Sequence, residues 1–143
     1  MVNLCRFVKL ISILLSSKLR KMNPEKINIK EKFGLFSDYW NPGIAGQLNG
    51  QLVKLVKFKG EFVWHRHDQE DEMFLVAHGE FDMELRDKTI NLKEGDFIII
   101  PKGTEHRPVA ENEVHVILFE PDSTLNTGDA PQSELTKQQL NKI

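Results

Sequence analysis

From Ile27 onward, apolar and polar positions alternate with period two, and turn-forming residues interrupt the alternation at short intervals. Period two places every second side chain on one face, which is the pattern of a strand with a buried side. Residues 51–59 show it most clearly. Leu52, Lys54, Val56 and Phe58 share one face, and Val53, Leu55, Lys57 and Lys59 share the other. Asn49-Gly50 ahead of them is a hairpin signal, because both residues accept positive φ, and Gly60 is expected to end the strand. Further strands are expected over 62–64, 73–77, 81–86, 89–92, 97–100, 107–109 and 114–119. Gly79, Asp87-Lys88, Gly95, Pro101, Gly103, Asn112 and Pro121 are the punctuation between them.

Strands spaced about 8–12 residues apart, with turns between, predict an all-β sandwich or barrel. Residues 27–30 are a candidate N-terminal edge strand, 31–39 a short helical turn, and 133–142 a frayed helix in a polar C-terminal tail. Phe33, Phe36 and Trp40 are expected to pack as a plug or edge of the barrel.

The first 22 residues have a different pattern: apolar and basic, with no acid. Leu4, Val8, Ile11 and Leu15 fall on one face of a possible amphipathic helix. The apolar run is short and interrupted by Ser12, and no small-residue cleavage pattern follows, so it is not an export signal. The polar stretch after Met22 resembles a natural N-terminus. Translation is therefore expected to start there, with 1–21 an upstream extension; a docked helix or a weak targeting segment is the alternative. The chain then divides into the extension 1–21, a domain over 22–129 and a polar tail over 130–143.

Composition narrows the classes. A length of 143 residues, 40% hydrophobic and 28% charged, suits one globular domain with a core of its own. The single cysteine, Cys5, excludes an internal disulfide framework and a cysteine-rich zinc site. Five of the 19 basic residues and none of the 21 acidic ones lie in 1–22, so the rest is clearly acidic and suits no nucleic-acid partner. No run approaches the ~18 apolar residues of a membrane-spanning helix. With no export signal and no disulfide, the expected compartment is the cytoplasm.

The candidate chemistry lies in the histidines. His65 and His67 stand two apart, so on a strand both imidazoles face one side and Arg66 the other. Asp68, Glu70, Asp71 and Glu72 follow, and any of them on the next strand could add a carboxylate. His106 follows the tight turn led by Pro101 and Gly103, placed to enter the same cavity. Three neutral imidazoles and a carboxylate suit Zn, Fe, Mn, Ni or Cu. His78, sharing parity with Glu72, is more simply a surface residue at a strand end, and His115 a satisfied core or surface histidine. Arg66, Lys102 and Arg107 are expected to be rim charges. Glu105, next to His106, should point away from it. No Ser-His-Asp or Cys-His nucleophile arrangement is present.

These motifs resemble the cupin family. Gly60, His65, His67, Glu72 and Gly79 follow its first motif, with the leading glycine one residue closer than usual. Gly95, Pro101, Gly103 and His106 follow its second, whose last position, usually Asn, is Ala110. With the run from Phe119-Glu120-Pro121 to Asn126-Thr127-Gly128, the chain is similar to small single-domain bacterial cupins of the mannose-6-phosphate-isomerase-like kind. The resemblance implies a double-stranded β-helix, or jelly-roll barrel, and a homodimer. It also selects Glu72 among the acids, giving His65, His67, Glu72 and His106 as ligands of one divalent metal. Glu72 shares parity with Phe74 and Val76, which supports the choice. The chemistry implied is that of a dioxygenase or isomerase acting on a small polar molecule. A non-catalytic module binding a metal or a small ligand is the alternative, because a fold does not specify a reaction.

Overall fold

The computed structural model describes residues 23–143. The possible helix carrying Leu4, Val8, Ile11 and Leu15, and the expected start at Met22, lie outside the described residues.

Among the described residues, one short helix precedes seven strands: α1 (Ile29–Phe33), β1 (Gly43–Leu48), β2 (Gln51–Glu61), β3 (Glu72–His78), β4 (Glu80–Leu85), β5 (Thr89–Lys93), β6 (Phe97–Ile100) and β7 (His106–Pro121). All strand pairs are antiparallel. The strands run in the order β1-β2-β7-β3-β6, with β4 on β7 and β5 on β4. The all-β expectation is met.

Gly60 and Asn112 do not end strands, contrary to expectation. Phe58 pairs with Val114 and Gly60 with Ala110, so three residues of β7 stand opposite Lys59 alone. The two turn signals mark one shared corner. Gly60 takes φ 82°, open to glycine at little cost, and lets β2 bend and continue to Glu61. Past the corner β7 continues as one strand of 16 residues, not two. Its first part pairs with β4, from His106 opposite Leu85 to Val109 opposite Asp82. Its second part pairs with β3, from His115 to Phe119. Residues 62–64 form no strand, and His65 makes an isolated bridge to His106.

The N-terminal edge strand expected at 27–30 is also absent. Asn28 instead caps α1, its Oδ1 accepting from the Glu31 N–H at 3.1 Å. The glycine-containing β1 was not foreseen; Gly43 and Gly46 weaken its strand signal. The tail forms no helix over 133–142. Its backbone bonds go elsewhere: the Ile44 N–H donates to Asn141 O and the Ile143 N–H to Ile44 O.

The main core is inside the rolled sheet, where Trp40, Phe58, Phe62, Phe74, Phe81, Met83, Val114, Val116 and Leu118 pack together. A second cluster, Phe33, Leu55 and Ile117, lies on the outer face of β2 and β7 and is covered by α1, Phe36 and Ile143. β2 is therefore buried on both faces, so the alternation in 51–59 does not divide buried from exposed residues. Trp40 and Phe33 pack as expected, Trp40 stacking on Phe58 with ring centroids 4.5 Å apart.

Candidate metal centre

The ends of three elements meet at one end of the core. Glu72 opens β3, His106 opens β7, and His65 and His67 lie on the segment after β2. The His65 N–H donates to His106 O at 3.1 Å and the His106 N–H to His65 O at 2.9 Å, which fixes the two backbones side by side. The Gly103 N–H donates to His67 O at 2.7 Å, so the Pro101–Gly103 turn braces the segment carrying the first histidine pair. Glu72 is placed by its pairing with Ile100 on β6.

All four side chains are buried, His65 at 3% exposure, His67 at 5%, Glu72 at 4% and His106 at 0%. One donor atom from each lies within 4.8 Å of the others. Glu72 Oε2 is 3.2 Å from His67 Nε2 and 3.3 Å from His106 Nε2.

Backbone carbonyls set the tautomers. His65 Nδ1 lies 2.9 Å from Val63 O, and His106 Nδ1 lies 3.0 Å from Thr104 O. A carbonyl only accepts, so each Nδ1 carries the proton and each Nε2 presents a lone pair. His67 Nε2, Glu72 Oε2 and His106 Nε2 are buried and have no hydrogen-bond partner. Buried polar atoms that converge without partners are unfavourable in a dry interior, and a cation satisfies them together. The group could therefore hold a metal ion.

The charge states agree. Burial, then the nearby His106, lowers the His65 pKa to about 4, so this imidazole is neutral at pH 7. Burial alone would raise Glu72, but the adjacent His106 and His67 rings outweigh it and hold the carboxyl below the usual range. Neutral imidazole and ionised carboxylate are the forms that bind metals.

A cavity of about 30 Å³ adjoins His65 and Glu72, walled by Trp40, Phe58, Phe62 and Phe74. Pro42, Val56, Pro108, Leu118 and Asn126 complete the wall, with no Lys or Arg among them. Asn126 is already engaged, its side chain donating to Leu135 O and accepting from the Lys137 N–H.

The other candidates lie elsewhere. Asp68 pairs with Arg66, Glu70 accepts from the Ser123 hydroxyl, and Asp71 accepts from the Lys102 N–H. Exposed His78 faces Glu94, while His115 pairs with Glu113 and stacks on Phe33, away from the cavity. Arg107 is held by Glu61 and Glu84, and Glu105 points away to Arg86.

Two features were missed from the sequence. Lys54 and Glu120 form a buried ion pair, Nζ to Oε1 at 2.6 Å, with each side chain 1% exposed. Burial, then the charge of Glu72, pushes the Glu120 carboxyl well above the usual range. The signal was present: Lys54 shares parity with Val56 and Phe58, and Glu120 with Val116 and Leu118. The second is Gly128, whose φ is 48° and whose added Cβ would collide with the Arg66 carbonyl. Its absence lets the 125–129 turn lie against the histidine segment, where the Arg66 N–H donates to Asp129 Oδ1 at 2.8 Å.

The fold and the four-residue group define a small cupin, and comparison with known proteins agrees. Residues 52–120 match the Cupin domain family. A cupin-2 domain containing protein from Shewanella frigidimarina is 43% identical, over 66% of this chain and 93% of its own, with a TM-score of 0.66. Protein NMB1881 from Neisseria meningitidis is 30% identical, over 68% of this chain and 100% of its own, with a TM-score of 0.64. The uncharacterized protein YdbB of Bacillus subtilis is 38% identical over 92 residues, which cover 64% of this chain and 75% of that protein. The chain belongs to the cupin family, and its fold is the jelly roll of those proteins.

Proposed function

We propose that His65, His67, Glu72 and His106 bind one divalent transition metal, and that the centre acts on a small molecule approaching from its aromatic side. The observation that carries this reading is the set of three buried polar atoms, His67 Nε2, Glu72 Oε2 and His106 Nε2, converging without a hydrogen-bond partner. A metal bound there would supply Lewis acidity and, if redox-active, electron exchange with dioxygen.

The chain's own residues narrow the chemistry. Trp40, Phe58, Phe62 and Phe74 exclude water and lower the local dielectric, which strengthens any charge interaction at the metal. The cavity wall offers no cation for a phosphate, so it does not favour a sugar phosphate. It also offers no titratable side chain beyond His65 and Glu72. Isomerisation of a sugar needs a base to move a proton between carbons, so oxygenase-type chemistry on a small chelating enol or diol fits better. Oxygen uptake by the metal-loaded protein with a panel of small enediols and catechols tests this. Turnover abolished by His65→Ala is expected. Tight ligand binding with no turnover on any metal would instead identify a non-catalytic binding module.

We also propose that the protein is a cytoplasmic homodimer. The exposed Phe97 and Ile99 on edge strand β6 support pairing. A single-chain mass by sizing with light scattering at micromolar concentration would contradict it.

A further inference from the structure

The cavity beside the candidate centre is nearly closed. At about 30 Å³ it has room for one or two waters. A larger molecule reaches His65 and Glu72 from this side only if part of the wall moves. Val56, Phe58, Phe74, Pro108 and Leu118 stand on β2, β3 and β7 and are held by the sheet. Trp40 is tied to β2 twice, its backbone N–H donating to Lys57 O at 2.9 Å and its indole Nε1–H to Lys59 O at 3.0 Å. The Asn126 side chain is held differently. Its hydrogen bonds go to the C-terminal tail, donating to Leu135 O at 2.8 Å and accepting from the Lys137 N–H at 2.9 Å.

The tail crosses this wall from one side to the other. Beside the Asn126 contacts, Thr136 Oγ1 lies 3.0 Å from Oγ1 of the fully buried Thr127. Leu135 packs on the main core. Lys137 lies within coulombic range of Asp38, two residues before Trp40. The chain then reaches β1, two residues past the wall residue Pro42. There the Ile44 N–H donates to Asn141 O and the Ile143 N–H to Ile44 O. Around these attachments, residues 131–134 and 138–139 are exposed, and the segment 131–143 adds no named strand or helix. A segment with few buried contacts, attached at separate points, opens at a much lower free energy than the sheet it covers.

We propose that residues 131–143 are a strap, latched at Asn126 and Thr127 and clipped at Ile44, which shuts the cavity and lifts as a unit to admit a molecule to the centre. What the strap admits rests on the metal-centre reading above; its motion does not need a metal.

Hydrogen exchange on the metal-free full chain reads the motion. Acrylamide quenching of Trp40, in a Trp64→Phe background, reads access to the cavity. Leu135→Ala loosens the strap without altering a wall residue. It is expected to speed exchange of the Lys137, Ile44 and Ile143 amides by one common factor, about five- to tenfold. The quenching constant of Trp40 should rise at least about twofold. Ile117→Ala weakens the outer cluster instead, and while folded it should leave both readings at the parent's values. Should Leu135→Ala fail to fold, Thr136→Val takes its place; it removes the hydroxyl contacts to Thr127 and the Ser133 N–H at nearly constant volume. Faster exchange at Lys137 alone, or Trp40 quenching equal to the parent's, would overturn the strap and leave the metal centre standing. Zn²⁺ titration of the same samples keeps the two failures apart. The expected exchange and quenching in a protein that binds no divalent metal would support the strap and sink the centre.

Discussion

His65 and His106 exchange both of their backbone hydrogen bonds, at 3.1 and 2.9 Å, across a bridge belonging to no longer strand pair. The two cupin motifs, one around 60–79 and the other around 95–110, are thereby joined backbone to backbone at the candidate centre. Each of these rings is also tied through Nδ1 to the carbonyl two residues before it. The imidazoles are oriented before any ion arrives, so binding requires little reorganisation of either ring.

Preorganisation of this kind predicts a large effect of metal on stability. A ligand that binds only the folded state stabilises it by about 2.7 kcal/mol at a hundredfold excess over Kd. For a domain of this size the melting temperature should rise by roughly 5–10 °C. Differential scanning fluorimetry with added divalent metals and with a chelator checks this, and His106→Ala should abolish the shift.

Acid should destabilise the metal-free protein within a defined window. The His65 pKa falls from 6.5 to about 4 on folding, because burial disfavours the charged ring. A depressed folded-state pKa gives stability that is complete above pH 6.5 and is lost as pH falls toward about 4. The loss should be on the order of 3 kcal/mol, since one pKa unit is worth about 1.4 kcal/mol. Urea denaturation of the metal-free protein at several pH values measures it. Metal-free His65→Leu should show a flatter dependence, and equal slopes would argue against the His65 assignment.

Gly128→Ala should be far more damaging than its chemistry suggests. A Cβ there meets the Arg66 carbonyl, and φ 48° disfavours any L side chain. The expected cost is about 2 kcal/mol or more. Because the displaced backbone carries His65 and His67, metal affinity should fall as well. Chemical denaturation and metal titration on the same sample separate the two effects.

Phe33→Ala should do the opposite. Phe33 belongs to the outer cluster with Leu55 and Ile117, remote from the four ligand candidates. Truncating a buried phenylalanine costs about 3–5 kcal/mol. Affinity for metal, measured on protein that remains folded, should be unchanged.

Much of this architecture was legible in the sequence, because its signals were local. Period two and turn residues located β3 to β6, the histidine spacing brought His65, His67 and His106 together, and the resemblance to the cupin motifs selected Glu72 among the acids. Features that depend on distant neighbours were not legible. Gly60 and Asn112 look like strand ends, yet they share a corner that exists only once β2 and β7 pair. The alternation in 51–59 suggests one exposed face, yet α1 and Ile143 cover it. Lys54 read as an ordinary strand lysine until Glu120, 66 residues away, was placed beside it.

The central claim is tested most directly by elemental analysis of the tag-free full-length protein, beside a His65→Ala/His106→Ala control. The account predicts close to one divalent metal per parent chain and almost none in the control. A parent that is purified empty and takes up no Zn, Fe, Mn, Ni or Cu on dialysis would contradict it.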